Sequence, residues 1–478
     1  MSGDAEVAEF GRLFQEFLRL SLDRAVEQPC ELIARLTEHL GVEPMGLPVV
    51  AESYQIFDHV NVQVAIEAYL SGDGRAAELI GIAGQGMRDM HSLAELVEMA
   101  ARHGAYSLGG VEYATAPAGV GVERRVVNFG IFLISDGAER LAALLRGAAR
   151  HGRPTVQLEV LSADPARAQR LLSELRQLRV THNVFRGQVV SFESPEFDFG
   201  YGGVGPLRFH SRPALGADDV VLPPGTLDAV DRQIIGMARH RELLRAAGHP
   251  LKRGVLLFGP PGTGKTHTVR YLMTQLPDFT VVLLPGMAQQ FLQHACGLAR
   301  LVQPALIVME DVDLVAESRE MRHGMENPLL FQVLNEMDGL AGDADVAFLL
   351  TTNRADLLEP ALAQRPGRVD LAVSLPLPDE AAREALLRLY GRGLSLTKPQ
   401  VSEVVAATAG MTAAFFTELA RRATLLAAVD NVAPATFGHV QAALAEMQES
   451  RDAVAAQVPS QPPVHHETHT AVHAGTTG

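Results

Sequence analysis

The chain has 478 residues, 47% of them hydrophobic and 20% charged, with a net charge of −15. That length leaves room for roughly two to four domains with packed cores. The acidic balance argues against a general nucleic-acid or anionic-membrane binder, and no run of about 18 apolar residues is present to span a bilayer.

Taken in order, residues 5–40 carry apolar positions at helical spacing. These are Phe10, Leu13, Phe14, Phe17, Leu18 and Leu20, then Leu32, Ile33, Leu36 and Leu40, and Gly41 and Pro44 stop the pattern. The stripe reads as a domain's own core face rather than a partner or membrane helix. Helical text continues to about residue 104, and Gly81-Ile82-Ala83-Gly84-Gln85-Gly86 within it reads as a loop. Residues 1–120 are therefore expected to be mainly helical, with 121–200 a small α/β domain. In that domain 126–134, 156–161 and 184–192 read as strands. Asp136-Gly137-Ala138-Glu139 fits a capping box opening a helix to about 149, and Asp164-Pro165 opens a second. Residues 201–217 read as a linker rich in Gly, Pro and Phe. A nucleotide-binding module over 218–375, a helical segment over 376–450 and a disordered tail over 451–478 follow. In the tail, His466-Glu467-Thr468-His469 misses the zinc motif H-E-x-x-H, because residue 470 is Thr.

Cys30 and Cys296 stand far apart in no metal spacing. They point to a reducing compartment with buried thiols. The N-terminal residues lack the basic start of a signal peptide, so a cytoplasmic location is expected.

The most informative stretch is Gly259-Pro260-Pro261-Gly262-Thr263-Gly264-Lys265-Thr266. It matches the phosphate-binding loop G-x-x-x-x-G-K-[ST] in full. Before it, Gly254-Val255-Leu256-Leu257-Phe258 reads as a buried strand; after it, Val269, Leu272 and Met273 keep helical spacing. Glycines let successive N–H groups turn toward phosphate oxygens, and the helix N-terminus adds favourable partial charge. Gly259 through His267 are thus the candidate nucleotide-binding residues, with Lys265 on the outer phosphates and Thr266 on Mg²⁺. Of 41 basic residues only Lys252, Lys265 and Lys398 are lysine, so a compact point charge stands where one is wanted.

Farther on, Leu306-Ile307-Val308-Met309 runs into Glu310-Asp311-Val312-Asp313. An apolar strand ending in acids supplies the Mg²⁺ side of such a site, one acid on the metal's water shell and the next polarising the attacking water. Residues 346–350 form another strand leading to Thr351-Thr352-Asn353-Arg354, where Asn353 is placed to orient that water. Arg365 and Arg368 flank a Pro-Gly turn and suit insertion into a neighbouring subunit's phosphate site.

Together with Asn335-Glu336-Met337-Asp338-Gly339-Leu340, these motifs make residues 220–445 resemble an AAA-type ATPase module. The resemblance implies a P-loop α/β fold, a parallel sheet sandwiched by helices, with a helical lid after residue 376. It implies bound ATP and Mg²⁺, Glu310 and Thr266 at the metal, and Asp311, Asn353, Arg365 and Arg368 as catalytic groups. It further implies a homo-oligomeric ring, usually of six subunits, with Gly410-Met411-Thr412-Ala413 near the adenine. Two features depart from the usual pattern. The family has Asp then Glu after the second strand, whereas here Glu310 precedes Asp311; the mitochondrial AAA translocase for the Rieske protein is similar in this order, and an active enzyme is expected. The segment from Gly286 to Glu310 is short for a threading loop and lacks a glycine after Phe291-Leu292, so Phe291 is assigned to the core. The expected activity is ATP hydrolysis by a chaperone-like ring that remodels or moves a protein partner held through residues 1–215. The alternatives are an ATP-switched scaffold with little turnover and a threading unfoldase feeding a protease. The second is weakened because Ala474-Gly475-Thr476-Thr477-Gly478 lacks a hydrophobic–Tyr–x ending.

Overall fold

Alternating side chains on an extended chain serve two faces at once, and the first sheet shows this along its longest strand. The computed structural model describes residues 9–17, 30–84, 88–148, 155–192, 207–285, 291–313, 335–337, 339, 344–354 and 369–457. Strands β1 (Val49–Tyr54), β2 (Arg75–Ile82), β3 (Leu108–Gly109), β4 (Glu112–Gly119), β5 (Val122–Asp136), β6 (Glu139–Arg146) and β7 (Val156–Leu161) form one antiparallel sheet. Its order is β1-β7-β6-β5-β2-β3, with β4 also on β5. From β5, Phe129, Ile131 and Leu133 pack with helices Glu31–Leu40 and Leu93–His103 through Leu32, Leu36, Leu93 and Leu96. Phe132 and Ile134 point the other way, toward helices His59–Leu70 and Pro165–Thr181 through Ile66, Tyr69, Leu171 and Leu175.

The second sheet has the order β14-β10-β13-β12-β11-β8-β9. Its strands are β8 (Val189–Phe192), β9 (Leu207–His210), β10 (Arg253–Phe258), β11 (Thr280–Pro285), β12 (Ala305–Glu310), β13 (Val346–Thr352) and β14 (Leu371–Ser374). All its pairs are parallel except β8 with β9. Helices Lys265–Gln275 and Leu292–Leu301 connect its central strands, and buried runs such as Ala305–Glu310 are what a sheet covered on both faces requires. The chain divides into two compact units, one of 1–220, 224–259 and 265–375, the other of 221–223, 260–264 and 376–478. In the second, helices Glu380–Tyr390, Lys398–Ala407, Ala413–Val429 and Phe437–Gln457 close around Leu386, Val404, Phe416, Leu419 and Val440.

Several expectations need correction. Residues 1–120 are not mainly helical, because β1, β2 and β4 lie there; Arg75–Ile82 has a helix-favouring composition, but an alternating half-buried pattern lets it pair with β5. The segment after Asp136 is no helix. Asp136 pairs with Glu139 across the two-residue turn Gly137-Ala138, where Gly137 takes φ +55° and β6 returns beside β5. A boundary at 120 would cut one sheet in two, since β5, β6 and β7 complete the sheet that β1 and β2 begin. At the other end, β8 leaves that domain for the second sheet, and β9, expected within a linker, pairs with it. Gly81 and Ile82 close β2 rather than lying in a loop. Phe10, Leu13, Phe14 and Phe17 do lie on a helix, residues 9–17, but all four side chains are exposed rather than in a core. Residues 458–478, including the tail histidines, fall outside the described residues.

The two sheets share one apolar cluster. Val126 of β5, with Phe57 and Val60 from the helical segment packed on the first sheet, meets Phe192 of β8 and the nearby Phe185 and Phe291, with the Phe192 and Phe291 rings 5.7 Å apart. A buried ion pair of Asp58 and Arg179 adds to it, and Asn61 links that pair to the chain entering β8 by donating to Asp58 (2.8 Å) and accepting from the Val184 N–H (2.9 Å). Phe291→Ala is expected to cost about 3–5 kcal/mol, as truncating a buried aromatic does. Urea unfolding of the variant against the unaltered chain checks this; an unchanged midpoint would contradict a core role.

Candidate functional site

In a parallel sheet the carboxyl ends of neighbouring strands open into one crevice. Here β10, β13 and β12 are adjacent, and each is followed at once by candidate residues: Gly259 after Phe258, Asn353 after Thr352, and Asp311 after Glu310. Topology alone thus gathers three stretches spread over nearly a hundred residues of sequence.

The loop after β10 is built around glycines. Gly259 has φ 150°, and a Cβ there would sit 2.1 Å from the Leu375 carbonyl oxygen. Gly262 has φ 78°, and its Cβ would lie 2.9 Å from Thr412 Oγ1 and 3.2 Å from the Ala414 Cβ. The Gly262 carbonyl accepts from the Ala414 N–H at 3.1 Å, and the Thr263 hydroxyl donates to the Pro260 carbonyl at 2.9 Å. Pro260 through Gly264 therefore cluster with the helical C-terminal unit, while Gly259 and Lys265 belong to the sheet. Helix Lys265–Gln275 then begins, and its first N–H groups have no partner within the helix.

Lys265 is buried and its ammonium donates to the Gly259 carbonyl at 2.7 Å. Burial pulls its pKa below the ordinary lysine value, while the nearby Asp311 and Asp313 carboxylates oppose that shift. Thr266 is exposed. His267 contacts the Asp219 carbonyl through Nε2 at 2.9 Å and so braces the helix start.

On the acid side Glu310 ends β12, and Asp311 turns out of it with φ +50°. A non-glycine residue in this left-handed region carries backbone strain, and such strain gathers at functional sites. The turn is held by the Asp311 N–H to Thr351 Oγ1 (3.0 Å) and the Val312 N–H to the Thr351 carbonyl (3.0 Å). The Asn353 amide donates to Asp311 Oδ1 at 3.2 Å. Asp313, to which sequence alone assigns no role, accepts from Thr352 Oγ1 (2.9 Å), the Asn353 N–H (3.1 Å) and Asn353 Nδ2 (3.4 Å). Only the pairing of β12 with β13 brings the three residues together.

Arg365, Arg368 and residues 286–290 lie outside the described residues. Phe291 is buried against Phe192, away from solvent. Of the Asn335–Leu340 motif, residues 335–337 and 339 are described, and Lys252 donates to the Met337 carbonyl at 2.7 Å. Cys296 is fully buried, and burial pushes its thiol up to about 12; Cys30 is only half-buried. Among the described residues no helix is long and apolar enough to cross a membrane.

Gly259, which admits no side chain, the buried Lys265 ammonium, the exposed Thr266 and the Asp311 and Asp313 carboxylates that share Asn353 form a donor set that fits a nucleoside triphosphate with Mg²⁺. Comparison with known proteins points the same way. Residues 255–377 match the model of the ATPase family associated with various cellular activities (AAA). The chain is similar to the ATP-dependent zinc metalloprotease FtsH 4 of Sphaerobacter thermophilus, 35% identical over 212 residues, 42% of this chain and 32% of that protein. It is similar to an FtsH of Syntrophotalea carbinolica, 34% identical over 229 residues, 44% of this chain and 34% of the relative. It is also similar to 26S proteasome regulatory subunit 8 of Caenorhabditis elegans, 34% identical over 173 residues, 34% and 41% of the two chains. The matched stretch thus spans well under half the length of each relative.

Proposed function

The chain carries an AAA-family ATPase domain, and from that premise we propose that it binds ATP with Mg²⁺, hydrolyses it and couples turnover to remodelling or moving a protein partner. The observation that carries this is the convergence of Lys265, Asp311 and Asn353 at the carboxyl ends of three adjacent strands. Magnesium-bound ATP supplies a γ-phosphoryl group whose charge the metal helps neutralise. The loop N–H groups and Lys265 hold the phosphates, and binding them exchanges the Gly259 carbonyl on the ammonium for phosphate oxygens. Thr266 and Glu310 hold the metal and its waters. Asp311 accepts a proton from the attacking water, and Asn353, already hydrogen-bonded to Asp311, sets where that water sits. Gly410 through Ala413 are placed beside the base, a position supported by the bond from Ala414 to Gly262 in the same unit. Arg365 and Arg368 reach the phosphates of the next subunit in a ring, six-membered in the simplest reading, in a cytoplasmic protein. The partner is held through residues 1–215, whose sheet is joined to the ATPase sheet by shared apolar packing. The burial of Phe291 favours moving a folded partner over gripping an extended chain at that position.

Lys265→Ala is expected to reduce ATP affinity by at least about 100-fold, since it removes the only ammonium inside the loop. Equilibrium binding of a fluorescent ATP analogue checks it, and intact affinity would contradict the assignment. The broader reading is tested by steady-state ATPase activity beside Arg368→Ala, with mass measured with and without ATP. An ATP-dependent ring whose turnover falls in the variant supports arginines acting across subunits. Undiminished turnover in Arg368→Ala would remove that role.

A further inference from the structure

We propose that Asp313 is a positioning residue that acts through Asn353 on the water-activating end of the site; the inference rests on the ATPase reading above. Asp313 is only 6% exposed, and a buried carboxylate at that depth must be met by donors. All three donors given above come from the dipeptide Thr352-Asn353 at the tip of β13. The carboxylate of the turn after β12 thus grips the neighbouring strand's end, backbone and side chain together.

The consequence falls on one amide group. Asn353 Nδ2 has two hydrogens, and two carboxylates accept from it: Asp311 Oδ1 at 3.2 Å and Asp313 Oδ2 at 3.4 Å. An amide oxygen turned toward that pair would face two acceptors, so the acids select the orientation with nitrogen inward and oxygen outward. Asp311 supplies one of the two acceptors and Asp313 the other, so both hydrogens of the amide are held only while Asp313 is in place. Lys265, which feels both carboxylates, ties the same pair to the phosphate side.

Asp313→Asn is close in shape but sets an amide against an amide, which removes the selection of orientation. It is expected to lower kcat about 10–100-fold, in line with the cost of small misplacements in a reacting site. ADP affinity should stay within about twofold. Hydrogen–deuterium exchange at the Asn353 N–H should quicken, a readout independent of turnover. In an Asn353→Ala background the same change should move kcat less than about twofold, the non-additivity of residues acting as one unit. Additive losses in the double variant, or loss of ADP affinity or folding in Asp313→Asn, would each assign the carboxylate a purely structural part and overturn the proposal. Wild-type kcat in Asp313→Asn would do the same. An unaltered chain that turns over no faster than Asp311→Asn overturns the ATPase reading and this inference with it, a pattern distinct from the others.

Discussion

Asp311→Asn is expected to lower kcat for ATP hydrolysis about 10²–10⁴-fold, the span attributed to a positioned general base. That equals about 2.7–5.5 kcal/mol of transition-state stabilisation. The substitution isolates the chemistry unusually well. Asparagine is among the residues that tolerate a left-handed backbone, so the φ of +50° at this position need not change. Its side-chain oxygen can still accept from Asn353 Nδ2, and its N–H can still reach Thr351 Oγ1. What disappears is the charge and the proton acceptor. Nucleotide affinity should therefore stay within about threefold, because on the proposed reading the phosphates are held from the β10 side, by Lys265 and the residues before it, and not by Asp311. Single-turnover hydrolysis with a binding titration on the same sample separates the two quantities. Retained turnover would remove Asp311 as the base. An unaltered chain that binds ATP and assembles, yet turns over no faster than this variant, would favour an ATP-switched scaffold.

The phosphate loop, the acid-ended strand and Asn353 were legible in the sequence because each is a local signal: a glycine spacing, an apolar run, a polar tip. Asp313 was visible but mute, since its meaning depends on β12 and β13 being neighbours, which no spacing along the chain declares. The first domain was harder to read. Its β6 (Leu141, Ala142, Ala143, Leu144, Leu145) is rich in good helix formers, and only cross-strand pairing on both edges and burial on both faces make it a strand. The Asp-Gly pair before it suits a helix cap and a hairpin turn alike, and only the return of β6 beside β5 distinguishes the two. The helix at 9–17 was right in period and wrong in burial, because a stripe of Phe10, Leu13, Phe14 and Phe17 says which residues share a face but not what covers it. Strand β9 was lost among the Gly and Pro residues around it, and only its partner β8 reveals it.

Removing Glu159 is expected to be among the most damaging single changes outside the nucleotide site. Glu159 on β7 and Arg146 on β6 form a buried ion pair, their side chains 2% and 3% exposed. The pair is not isolated. Arg146 Nη1 donates to the carbonyls of His91 (2.6 Å) and Asp89 (3.2 Å), while Glu159 Oε2 accepts from the Leu93 N–H at 2.6 Å, the first residue of helix Leu93–His103. Strand residues thereby fix the start of a helix whose Leu93, Leu96 and Val97 fill the core on that face. Glu159→Ala leaves a guanidinium buried without its counter-charge and frees a helix-terminal N–H, which should cost about 3–5 kcal/mol. Against a total stability of about 5–15 kcal/mol, that is enough to shift the denaturation midpoint far. The double variant Glu159→Ala with Arg146→Leu should recover a substantial part, because removing both charges eliminates the uncompensated ion even as the helix anchor is lost. Urea unfolding of the single and double variants decides between the two explanations. A double variant as unstable as the single one would place the value of the pair in its bonds to residues 89–93, and a single variant within about 1 kcal/mol of the unaltered chain would show that this charge is not buried as described.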